Sequence, residues 1–126
     1  MGYRSDVTVA IYPDDRKQEG YDALKLLMGT TFKDTIAMFD SHMDWRDDKC
    51  VLVFEIMDIK WYESDPDIKA FQSMLSMLEN DTDGGIAGYN YEMMRLGEDT
   101  EDIQYSTSGE YLEYFMSVSR VVDLDI

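Results

Sequence analysis

Apolar and polar residues alternate along this chain in blocks that change period several times. Val7-Thr8-Val9-Ala10-Ile11-Tyr12 is a short β-branched run closed by Pro13-Asp14-Asp15, and it predicts a strand. Between residues 16 and 40 the period lengthens: Tyr21, Leu24, Leu27, Met28, Thr31, Phe32, Ile36 and Phe39 recur at three- and four-residue spacing. That spacing predicts one amphipathic helix, or two joined near Gly29-Thr30-Thr31, where glycine and paired β-branched residues weaken a helix interior. Ser41 to Lys49 reads as a polar connection. Cys50 to Tyr62 then reads as a long strand, with Leu52, Phe54 and Ile56 on one face and Met57, Ile59 and Trp61 on the opposite parity. A one-residue shift of this kind predicts a bulge near Ile56-Met57.

Ser64-Asp65-Pro66-Asp67 is a helix start, with a capping side chain before proline and an acid in the first turn. Ile68, Phe71, Leu75 and Leu78 form the buried stripe of that helix, over residues 65–79, and Asn80 to Gly85 is a turn. Tyr89, Tyr91 and Met93 alternate with Asn90, Glu92 and Met94; Gly97-Glu98-Asp99-Thr100 is a turn; Ile103 and Tyr105 alternate again. Tyr114 to Val122 reads as a closing strand. The predicted order is β-α-β-α-β-β-β in a single acidic domain over residues 1–126. Its fold class is α+β, a two-layer sandwich with a largely antiparallel sheet and two main helices on one face. The expected core includes Val9, Ile11, Leu24, Leu27, Phe54, Ile68, Phe71, Leu75 and Val118.

Charge narrows the range of partners. The chain holds 27 Asp and Glu against 11 Lys and Arg, a formal net charge of −16 over 126 residues. Residues 79–126 are the most lopsided stretch, with 12 acids and two bases. Such a field repels nucleic acid and anionic membrane and attracts basic protein surfaces. Hydrophobic residues at 44% and aromatics at 13% are too many for a disordered acidic tail, so the acids are expected on a folded body. The opening residues lack the apolar core of a signal peptide, and no run reaches the roughly 18 apolar residues of a membrane span. A cytoplasmic location is the expectation.

Candidate chemistry is sparse. The one cysteine, Cys50, opens an apolar run and reads as a buried, inert thiol, while the one histidine, His42, reads as a solvated loop residue. Two such residues are too few for zinc. Glu79-x-Asp81-x-Asp83-Gly84-x-Ile86 copies the first half of a calcium loop, but Asn90 stands where the bidentate glutamate is needed and a strand follows. Asp44, Asp47 and Asp48 have carboxylates suited to magnesium without a specific spacing. No glycine-rich phosphate loop is present. No catalytic residue, metal or cofactor is assigned. The candidate partner-binding residues are Glu98, Asp99, Glu101, Asp102, Glu110, Tyr111, Glu113 and Tyr114, where aromatics supply anchors and acids guide encounter.

The opening Gly2-Tyr3-Arg4-Ser5-Asp6-Val7, the segment Lys60-Trp61-Tyr62 with Ile68-Lys69-Ala70, the turn Leu96-Gly97-Glu98-Asp99 and the closing Val118-Ser119-Arg120 resemble a family of small proteins of tailed phages and their bacterial hosts. The family is mostly uncharacterised. The resemblance implies phage origin and action in host cytoplasm, and carries no catalytic residues. Together with the charge, it leads to the expectation of a non-enzymatic protein that inhibits a host protein with a basic surface, a defence component of the CRISPR or restriction type, through acids that mimic nucleic acid. A virion or assembly protein is the alternative. A small nucleotide-binding protein using Arg4, Lys60 and Arg120, or a carboxylate-metal enzyme, is a more distant one.

Overall fold

The computed structural model describes residues 4–14, 17–62, 64–79, 88–98 and 101–107. Strand β1 (Ser5–Pro13) leads into helix α1 (Gln18–Gly29), the one-turn helix α2 (Lys33–Ile36) and a 3₁₀ segment (Ala37–His42). Strands β2 (Met43–Arg46) and β3 (Val51–Ile59), helix α3 (Pro66–Glu79), and strands β4 (Tyr89–Gly97) and β5 (Ile103–Thr107) follow. The five strands form one sheet in the order β2-β3-β1-β4-β5, and every neighbouring pair is antiparallel. The first four strands and the two main helices make a split βαβ arrangement, as in ferredoxin-like folds: β3 lies between β1 and β2, and β1 between β3 and β4. The α+β class and the helices on one face are as the sequence predicts. Two differences are informative.

First, Ser41 to Lys49 is not simply a polar connection, because β2 lies within it and pairs with β3 from Met43↔Phe54 to Arg46↔Val51. Four residues with two charges at a sheet edge leave almost no periodic signal. Second, the sheet is buried on both sides. Val7, Val9 and Ile11 face the helices, yet Ala10, Val51 and Val53 on the opposite face are also fully buried, with Thr8 and Tyr12 nearly so. Glu92, which alternates with Tyr91 and Met93, is fully buried on that same face. No described helix or strand lies over it. The closing strand read over Tyr114 to Val122, core residue Val118 and most of the calcium-like turn lie outside the described residues.

Local signals explain the helices. Thr30 Oγ1 donates to the Leu26 carbonyl (2.7 Å), and the Phe32 N–H donates to the Leu27 carbonyl (2.9 Å), so the chain stops at Gly29-Thr30-Thr31 before α2 begins. The two-helix reading of residues 16–40 is the one adopted. At α3 the Asp65 carboxylate accepts the Asp67 N–H (2.9 Å), capping the helix ahead of Pro66 at its first position. The predicted bulge is present too: Val7 pairs with Ile56 and Ser5 with Ile59, which leaves one extra residue on β3. Asp58 takes up the kink at φ 55°.

Phe71 is the centre of the helix-side core. Its ring makes edge-to-face contacts with Phe39 and Phe54, both at 5.1 Å, and with Trp61 at 6.0 Å. Those contacts tie α3 to the 3₁₀ segment, β3 and the chain leaving β3. Of the predicted core, Val9, Ile11, Leu24, Phe54, Ile68, Phe71 and Leu75 are buried, and Leu27 is partly buried against them. Phe71→Ala should cost about 3–5 kcal/mol in urea denaturation at neutral pH. A loss below about 1 kcal/mol, the size of an ordinary surface change, would show that the aromatic cluster does not anchor α3.

Candidate partner-binding surface

Acids of three strands, and one just after a fourth, form an exposed strip from the start of β1 across the middle of β3 to β2. β1 contributes Asp6, β2 Asp44, β3 Glu55 and Asp58, and the residue after β4 is Glu98; all five are exposed. Arg46 joins the first group, its Nε donating to Asp44 (2.9 Å) and its Nη2 to Glu55 (3.2 Å). Glu55 pairs with Thr8, two residues from Asp6 on the same face of β1. The Asp6 carboxylate accepts the Asp58 N–H (2.9 Å) and thereby holds the bulge. Arg4 closes the group: its guanidinium donates to the Asp58 carbonyl (2.8 Å), and its N–H donates to Glu98 Oε1 (3.1 Å). Five carboxylates thus share a strip with two guanidinium groups. An open cleft of about 210 Å³ lies among Arg4, Asp6, Asp58, Gly97 and Glu98.

Three of the sequence-based candidates, Glu98, Glu101 and Asp102, lie within the described residues. Glu98 belongs to the strip. Asp102, however, is internal to the β4–β5 hairpin: its carboxylate takes a two-point contact from Arg95, at 2.8 and 3.1 Å. Arg95 also donates to Gln104 (3.0 Å) and Ser5 Oγ (3.0 Å), and only 16% of its side chain is exposed. Such a fork on a carboxylate fixes geometry, so Asp102 helps to position the hairpin. Glu101 is exposed in the turn. Asp99, Glu110, Tyr111, Glu113 and Tyr114 lie outside the described residues. Asp6, Asp44, Glu55 and Asp58 were missed because they stand far apart in sequence, and only sheet register brings them together.

The other candidates are structural. Cys50 is half-buried in the turn before β3 at φ 56°, not inside a strand, and its thiol approaches Gln18 Oε1 (3.8 Å) and the Asp47 carbonyl (4.0 Å). Next to it, Asp47 accepts hydrogen bonds from the Tyr21 hydroxyl (2.6 Å) and Lys25 (3.0 Å). Lys25 lies 4.8 Å from the Tyr21 ring centre, and Tyr21 meets Trp45 edge-on at 5.7 Å. Trp45 is therefore part of a packed cluster and is no open stacking platform. His42 ends the 3₁₀ segment, half-buried. Among the described residues no group of three or more His, Cys, Asp or Glu is arranged to hold a metal ion. Arg4 is committed to Asp58 beside three carboxylates, an environment that repels phosphate. No described helix is long and apolar enough to cross a membrane. Fold and surface together define an α+β protein with an exposed carboxylate strip across its sheet. Comparisons with protein-family models, with curated proteins and with solved structures give no match.

The Tyr21–Asp47 contact sets a pH response. Burial, and then the hydrogen bond to Asp47, raise the Tyr21 phenol well above its usual value. That same bond, and then Lys25, hold the Asp47 carboxyl below the usual carboxylate range. The Asp47 contribution is present above the unfolded-state value of about 3.9 and lost as pH falls through the lowered folded value. Above pH of about 10 the unfolded tyrosine ionises while the folded one stays neutral, so stability falls again. Tyr21→Phe should therefore remain closer to its neutral-pH stability than the parent does at both extremes. Parallel pH profiles for the two proteins would contradict the coupling.

Proposed function

We propose that this protein is a non-enzymatic binding protein whose carboxylate strip engages a basic, nucleic-acid-contacting surface of a host defence protein of the CRISPR or restriction type. The observation that carries this reading is the exposed strip of Asp6, Asp44, Glu55, Asp58 and Glu98, residues up to 92 positions apart in sequence that strand register brings near one another. A surface built to hold phosphates presents lysines and arginines at fixed positions, and carboxylates held by strand register meet them as phosphates would. Complementary charge accelerates encounter and makes it salt-sensitive, because screening at physiological ionic strength acts beyond about 8 Å. The net charge of −16 adds long-range attraction. The resemblance to small phage proteins supplies the host context.

Capture from bacterial lysate on the immobilised protein tests this, with elution by salt and by double-stranded DNA. The expected captured protein binds nucleic acid, leaves the column with either eluant, and is lost with the Asp44→Asn, Glu55→Gln, Glu98→Gln variant. The amides preserve side-chain shape and remove the charge. Capture that survives both DNA and the triple variant would refute the mimicry reading.

A further inference from the structure

One row of residues crosses the whole sheet on the face turned away from the helices. Asp44 on β2 lies opposite Val53 on β3, Val53 opposite Ala10 on β1, Ala10 opposite Glu92 on β4, and Glu92 opposite Thr107 at the end of β5. Val53, Ala10 and Glu92, the three central members, are fully buried, while Asp44 is exposed. Thr8 and Tyr12, on either side of Ala10 along the same face, are nearly as buried. Complete burial of a single methyl group in mid-sheet requires other atoms packed over it. The buried patch begins beside Thr107, where the chain leaves β5, and stops before Asp44. From β5 to β3 is three strand spacings, about 14 Å, which an extended chain crosses in about five residues. Residues 108–126 follow directly and include Leu112, Phe115, Met116, Val118 and Val122. Residues 80–87 have Ile86 and Ala87 as their only apolar side chains and are tied between α3, on the helix side, and β4. The remaining stretches outside the described residues are three residues or shorter.

We propose that residues 108–126 are the cover of this face: beyond Thr107 the chain turns onto the outer side of the sheet and packs across β4, β1 and β3. Met116 and Val118 alternate with Ser117 and Ser119, so the apolar pair turns to the sheet and the serines to water. The sheet then has the helices on one side and the chain's own last residues on the other, which is how apolar residues on both of its faces leave water. The cover ends short of Asp44 and Glu55, which stay exposed on the same face. It carries Glu110 and Glu113 to that face, beside the strip.

Site-directed photocrosslinking of the full chain reads this directly. The photoreactive residue p-benzoylphenylalanine replaces Glu55, which is exposed at the border of the patch opposite Thr8, and crosslinked peptides from the monomer band are mapped by mass spectrometry. The expected result is a crosslink into residues 108–126. The same probe in place of Glu19, exposed on α1 at the helix side, should give none. Val118→Asp should abolish the crosslink from position 55, while Ser119→Asp, which adds the same charge on the opposite parity, should preserve it. No crosslink from position 55 into residues 108–126, or equal crosslinking from position 19, overturns the proposal. Survival of the crosslink in Val118→Asp, or its equal loss in Ser119→Asp, overturns it as well. The two probe positions leave every buried residue intact, so their comparison stands however well the Val118→Asp chain folds. None of these outcomes depends on whether the strip binds a defence protein.

Discussion

Strand β1 is the constraint on which the rest of the structure depends. It hydrogen-bonds β3 along one edge and β4 along the other, so both neighbours take their register from it. A one-residue slip would turn Val7, Val9 and Ile11 away from the helices and leave Phe54 without its place against Phe71. Burial on both faces makes that slip costly in either direction. The extra residue on β3 is absorbed at Asp58, whose N–H is held by Asp6 from β1 itself. The same strand therefore sets the core at its centre and assembles the carboxylate strip at its start.

Local features were legible in the sequence where local physics decides them. The cap at Asp65-Pro66, the break at Gly29 and the parity change after Ile56 each follow from a few neighbouring residues, and each is present. What escaped is what tertiary contacts decide. Strand β2 is too short and too charged to carry a period, and it exists because β3 offers it an edge. Glu92 alternates with Tyr91 and Met93 along its strand and lies opposite Ala10 in a part of the sheet buried on both sides. The alternation gives its face correctly and says nothing of what that face meets.

The candidate site shows the same division. Sequence density of acids pointed to residues 98–114, of which Glu98 is exposed. Asp102 is not, because Arg95 reaches it across the hairpin in a two-point contact that no local pattern announces. Counting acids therefore overstates the displayed charge in some segments and misses its concentration in others. The strip gathers acids that look isolated in sequence.

The central claim is that placement of the acids, not their number, directs this protein to a basic surface. The most direct test compares association rates for the captured partner between two variants of equal charge. One neutralises Asp44, Glu55 and Glu98 on the strip; the other neutralises Asp14, Asp34 and Asp48, which are exposed elsewhere. Slower association for the strip variant, by about tenfold, with the control near the parent rate, is the predicted result, in keeping with electrostatic steering of encounter. Equal slowing of both variants would contradict the account, because net charge alone would then explain the attraction.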